Sequence, residues 1–463
     1  VLPVTVLRRL RAPDQDGGVV AEPPLSRVGE LLTDNKARLP RNTSILGRSL
    51  AEIREQARQS ALQAAQDYLH NAGEPLPTLS SGPLLMAGHQ PELFHAGVWV
   101  KNFALHGLAQ AVSGVALNLV VDNDTAKATA LRVPTAGTKE IPRPHALTVA
   151  FDGWVGEVPY EERPVADEAL FAEFPKRVEE VMRAWGYTPL LTSFWNEVQR
   201  QRERTSLLGE RLVRARRSLE EMWGCHNLEV PVSRLCQTEP FAWFASHLLS
   251  GLPRFHAVYN EVVHDYRRRH GLKSRNHPVP DLMIEGDWLE TPFWAWRAGQ
   301  TRRGRLLARL SGKSIELRVG REVWPALPLD AAPARWKQME VQGLKVRSRA
   351  LTNTLYARLL VADLFVHGIG GGKYDELTDQ IIREFYGLEP PRFLMLSATR
   401  LLPMPVAPVQ PGDVRRFRRL ARDLECNPQR YLKHEGSPIR ELVAEKQTWI
   451  TREPKTARER RDR

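Results

Sequence analysis

Cysteine is scarce in this chain: Cys225, Cys236 and Cys426 are the three in 463 residues, and none forms a C-x-x-C pair. That excludes a disulfide framework and a paired-cysteine zinc site, and the expected compartment is a reducing cytoplasm. No apolar run approaches the roughly 18 residues needed to cross a bilayer, so no membrane partner is expected. The opening Val1-Leu-Pro-Val-Thr-Val-Leu-Arg-Arg9 lacks the basic-then-apolar layout of a signal peptide. It also lacks an initiator Met, so the true start is expected upstream. No internal repeat or low-complexity tract is present, and the G-x-S-x-G and H-E-x-x-H patterns are missing. Serine-hydrolase and zinc-enzyme chemistry lose their usual signatures, and no metal ligands are assigned. Cys225-His226 reads as packing, because adjacent residues rarely converge on one reacting atom.

Positive charge is not lacking: the formal net charge is +12. The basic residues are scattered along polar helix faces, as from Arg200 to Arg217, and no nucleic-acid module accompanies them. The charge therefore favours an Arg-rich surface that attracts an anionic small molecule or nucleotide over a nucleic-acid interface.

Length leaves room for two to four domains. Residues 1–82 read as a helical lead-in, with apolar spacing at Leu50, Ile53, Ala57, Ala61, Ala64 and Tyr68 predicting a helix over Ser49 to His70. Residues 83–160 carry the first part of an α/β core and 161–225 a helical insertion. Residues 226–408 continue the core, with antiparallel segments at 281–324 and a glycine-rich loop at 367–375. Residues 409–463 predict two charged amphipathic helices, an antiparallel coiled-coil pair that could form a homodimer, and a charged tail. The expected fold is α/β, a Rossmann-like parallel sheet with these insertions.

The richest stretch runs from Met86 through Gly88-His89-Gln90-Pro91 to Phe103, followed by Asn118 to Asp124. An apolar strand, a polar loop, a helix and a second strand place both polar clusters beyond the carboxyl ends of parallel strands, where such sheets bind ligands. Gly88 and Gln90 could cradle an anion, His89 could act as a general acid, and His95 and Lys101 cluster nearby. Against this stands a plain strand-to-helix turn. Asp122, Asn123 and Asp124 could hold an amine, a sugar hydroxyl or a hard cation, although the D-x-D-x-D-G calcium pattern is absent; equally, they could cap a helix. The second candidate is His367-Gly-Ile-Gly-Gly-Gly-Lys-Tyr-Asp375. His367 and Tyr374 break the phosphate-loop pattern, and Lys373 breaks G-x-G-x-x-G. Gly368, Gly370, Gly371 and Gly372 still permit close ligand approach, with His367, Lys373, Tyr374 and Asp375 around them.

In order and spacing, Gly88-His89-Gln90, Lys101, Asp122-Asn123-Asp124 and Ile369-Gly-Gly-Gly-Lys-Tyr374 resemble the bacillithiol-biosynthesis cysteine-adding enzyme family over about residues 50–450. The resemblance implies a nucleotidyltransferase-like Rossmann core and amide formation between cysteine and an amino-sugar conjugate. Under it His89, Asp122 and Asp124 would be catalytic. Gly88, Gln90, Lys101, the four glycines, Lys373 and Tyr374 would bind a nucleotide such as ATP or ADP. His95, Asn123, His367 and Asp375 would face substrate. The chain departs from that family at His89, where Gln is usual, at Pro91-Glu92, and in its acidic cluster. His89-Gln90-Pro91 is also similar to WbqC-like proteins of glycan biosynthesis, over residues 86–124 alone. A nucleotide- or sugar-binding module without catalysis is the remaining alternative.

Overall fold

The structure, a computed structural model, describes residues 10–39, 43–45, 47–77, 79–136, 144–274, 276–404, 410–431 and 437–451. The chain divides into two compact units, Val1–Leu402 and Pro403–Arg463.

The larger unit is built on a mixed six-stranded sheet. Its order is Val19–Glu22, Phe393–Ala398, Leu364–His367, Leu84–His89, Val115–Val120 and Leu228–Pro231. The last five are parallel, and Val19–Glu22 pairs antiparallel at the edge. The strands read as near-continuous apolar runs because both sheet faces are covered. Alternation along the pleat separates the two faces. Leu85, Ala87, Val366 and Leu394 pack with Leu105 and Ala109 of helix Ala96–Ala111. Leu84, Met86, Phe365 and Phe393 join the other core, with helix Leu50–Ala72 and helix Ile369–Ile381.

Helix Leu50–Ala72 starts where Ser49 accepts from the Glu52 N–H (3.1 Å) and stops at Gly73, whose φ of +69° suits a residue without Cβ. Just after it the chain enters the central strand, whose first N–H is tied down. The Asp363 carboxylate accepts from the Leu84 N–H (2.7 Å) and is paired with Arg54 (2.7 Å) and Arg58.

The expected hairpin over 281–324 is part of a larger antiparallel sheet. It comprises Glu322–Pro328, Ser314–Val319, Gly304–Ser311, Trp288–Arg297 and Leu344–Ser348, in that order. Two-residue turns join Gly304–Ser311 to Ser314–Val319 and Ser314–Val319 to Glu322–Pro328, with Gly312 (φ +59°) and Gly320 (φ +58°) taking the left-handed position. Residues 161–225 hold helices from Glu168–Ala172 to Leu208–Met222. They enclose their own core around Trp195, Phe171 and Phe174, against the hairpin Ala130–Thr135/His145–Ala150.

The smaller unit contains helices Pro411–Cys426 and Ser437–Thr451. Lys446 Nζ donates to Asn427 Oδ1 and Gln429 Oε1, both 3.1 Å. No helix among the described residues is long and apolar enough to cross a membrane.

Candidate functional site

The strand order switches between the parallel neighbours Leu84–His89 and Leu364–His367: the chain leaves them toward opposite edges of the sheet, and the next helices, Ala96–Ala111 and Ile369–Ile381, cover opposite faces. Such a switch point opens a crevice at the carboxyl edge of a parallel sheet. His89 and His367 both end strands at that edge, but their side chains lie on opposite faces of the sheet.

His89 lies on the Ala96–Ala111 side, buried, with Nε2 3.1 Å from Asn102 Oδ1 and its ring 4.1 Å from Phe94. Burial, with Lys101 and Arg216 nearby, holds its pKa well below the ordinary histidine value, so the ring is neutral. Lys101 is also buried, donates to the Gly88 carbonyl (3.0 Å), and is pushed down to about 8 by desolvation. His95 caps its helix by accepting from the Gly97 N–H (3.1 Å).

His367 lies on the opposite face, 2.9 Å from Asp375, which is paired with buried Arg358. Arg358 and His367 hold the Asp375 carboxyl far below the usual carboxylate range. The expected loop at 368–372 is corrected. Gly368 is the N-cap, and Gly370, Gly371, Gly372, Lys373 and Tyr374 are in the first turns of helix Ile369–Ile381. Lys373 Nζ donates to the Leu10 carbonyl (3.3 Å), and Tyr374 packs edge-on to His277. The glycines serve different ends. A Cβ on Gly372 would stand 2.4 Å from Met395 Sδ, whereas one on Gly370 would meet nothing within 4 Å among the described residues. Gly372→Ala is therefore expected to destabilise by about 1–3 kcal/mol through overpacking. Gly370→Ala should be neutral or stabilising by up to about 1 kcal/mol. Urea unfolding of the pair checks this, and equal losses would contradict it.

The groups that do assemble lie at the ends of the 115–120 and 228–231 strands. Asp122 accepts from the Ser233 N–H (2.9 Å) and the Ser233 hydroxyl. Gln90 donates to Asp124 (3.1 Å), which also accepts from Arg303 (2.9 Å) and the Thr125 N–H (2.8 Å). Asn123 is buried and donates to the Ser348 carbonyl (2.7 Å). Glu161, whose N–H donates to the Asp122 carbonyl (2.9 Å), pairs with Arg347 (2.9 Å) and Lys345 (3.2 Å). Thus Gln90 and the 122–124 cluster meet, while His89, Lys101 and the glycine segment stand apart from them.

Beside Asp122 is a cavity of about 290 Å³ walled by Pro91, Tyr160, Glu210, Ser233, Arg234 and Lys345, among others. Burial, reinforced by Glu161, lifts Asp122 to about 7, against the opposing Ser233 donors and Arg347. A carboxyl in that range can both give and accept a proton at neutral pH. Ser233, Glu161, Lys345 and Arg347 escaped the sequence reading. Ser233 shared the strand-end signal that marked Asp122. The other three arrive from a connecting turn and from the antiparallel sheet, a juxtaposition no local pattern encodes.

Among the described residues no three of His, Cys, Asp and Glu stand together as a metal site would need. Cys225 and Cys236 are buried and pushed up to about 12, so neither is a thiolate nucleophile. No protein-family model and no curated protein matches the chain.

Proposed function

We propose that the protein is an enzyme that binds a small polar molecule in the cavity at Asp122 and moves a proton there. The observation that carries this reading is a half-buried strand-end carboxyl held at about 7 on the wall of a polar cavity. The cavity presents both signs, Asp122 and Glu210 against Arg234 and Lys345, which suits a zwitterion such as an amino acid. Five parallel strands covered on both faces support a Rossmann-like core.

The resemblance to cysteine-adding enzymes supplies a reaction of this kind. An amine attacking a carboxyl that already carries its leaving group must lose a proton as the C–N bond forms, and the Asp122 carboxylate is the group that takes it. Lys101 spends its ammonium on a backbone carbonyl, and Lys373 lies in a helix bonded to Leu10. The residues expected to bind a nucleotide therefore do not fit one as a set, and no step runs through it. Incubation with an aryl ester of cysteine, whose carboxyl already carries a leaving group, and a glucosamine–malate conjugate, read by mass spectrometry, should show an amide. Its rate should rise with pH through about 7, and Asp122→Asn should lower it by about 10²–10⁴-fold. A pH-independent rate, or full activity in Asp122→Asn, would end the proposal.

A coiled-coil dimer is supported by Val414, Phe417, Leu420 and Leu424, exposed at helical spacing. Leu420→Glu should then shift the sedimentation coefficient to that of a monomer; an unchanged coefficient would dismiss the dimer.

A further inference from the structure

The segment after the central strand separates two cavities. Pro91 faces the one at Asp122, while Glu92, Leu93, Phe94 and His95 line another of about 400 Å³. The remaining walls are Trp99, Leu131, Leu190, Leu191, Phe194 and Arg216. Three aromatic rings and four leucines make this second cavity apolar, in contrast to its neighbour. Its volume lies within the range of small-molecule sites, which pair apolar walls with a few placed polar groups.

Arg216 is the placed polar group. It is 2% exposed, lies 5.7 Å from the Phe94 ring, and its Nε–H has no hydrogen-bond partner among the described residues. Leaving such a donor buried without an acceptor is unfavourable, and a ligand acceptor would relieve it. The charge around it restricts which ligand. Arg216 is already paired with Glu220 (2.6 Å) and Glu229, and Glu92 adds a third carboxyl at the wall. Three acids against one guanidinium disfavour an anion. Leu190, 46% exposed, keeps an apolar edge at solvent.

We propose that this cavity binds a small, flat, uncharged aromatic molecule bearing one hydrogen-bond acceptor, such as a ketone or aldehyde oxygen. The proposal is independent of the chemistry at Asp122. Acetophenone is the test probe, with ethylbenzene as the same shape without an acceptor and benzoate as the anion. The full chain is labelled with 5-fluorotryptophan, and the Trp99 fluorine resonance is assigned by its loss in Trp99→Phe. Acetophenone should move that resonance saturably, ethylbenzene should bind several-fold to about tenfold more weakly, and benzoate more weakly than acetophenone. Leu190→Trp, at the exposed edge, should fill the cavity and abolish the shift while the remaining tryptophan resonances stay in place. Leu191→Phe provides a second, milder filling. No shift at about 10 mM acetophenone would overturn the proposal. So would tighter binding of benzoate, or undiminished binding in both folded filling variants.

Discussion

Asp122→Asn is expected to be more stable than the parent chain at pH 8, even as it loses proton transfer. Burial and Glu161 raise the Asp122 pKa from 3.8 to about 7. Below the ordinary value both folded and unfolded chains hold the proton. Between there and about 7 only the folded chain does, so its stability falls as pH rises through that window. A shift of about three pH units corresponds to roughly 4 kcal/mol at 1.36 kcal/mol per unit, and 2–4 kcal/mol is the order expected after local relaxation. Asparagine can accept from the Ser233 N–H and donate to its hydroxyl without ever charging. Urea unfolding at pH 8 and pH 4 checks this. The variant should lead at pH 8, and the gap should close by pH 4. A variant less stable at pH 8, or a gap independent of pH, would refute the assignment. A site that weakens its own fold when ionised is the trade expected of catalytic groups.

Arg358→Met should be among the most damaging single changes in the larger unit. Arg358 is 2% exposed, is paired with Asp375 and Asp379 (2.6 Å), and lies 4.9 Å from the Phe393 ring centroid. Methionine keeps much of the apolar stem but leaves two buried carboxylates without their cation. Breaking a buried pair in this way costs about 3–5 kcal/mol, because the stranded charge remains desolvated. Adding Asp375→Asn and Asp379→Asn should restore most of the loss, since it removes the charges that the arginine neutralised. The deficit of Arg358→Met should also shrink as pH falls and the acids protonate. A loss under about 1 kcal/mol, or no recovery in the triple variant, would show that the cluster is not an energetic unit.

Much of the frame is legible locally. Apolar runs ending in polar residues mark the strands at 84–89 and 115–120, and Ser49 with Gly73 bounds the long helix. The antiparallel sheet extends past the hairpin expected over 281–324 because its last partner, Leu344–Ser348, follows a helix, Ala332–Val341. The glycine segment misled for a different reason. Four glycines in five residues suggest an open loop, yet Gly372 is small because Met395 lies against it, and the helix begins at Ile369. Composition cannot tell a ligand's space from a neighbour's. The site itself was half visible: Gln90 and Asp124 meet, but Lys345 and Arg347 reach Glu161 from a sheet built some 185 residues later.

The Asp363 clamp also bears on how the chain is made. It ties the first N–H of the central strand to a carboxylate 279 positions downstream. During synthesis the strands at 84–89, 115–120 and 228–231 can pair long before Leu364–His367 emerges. Until then the apolar Leu84-Leu-Met-Ala87 edge is open to other chains, as unpaired strand edges are. Contacts so distant in sequence form late, so the central strand keeps one edge unpaired until the chain has been made as far as residue 364.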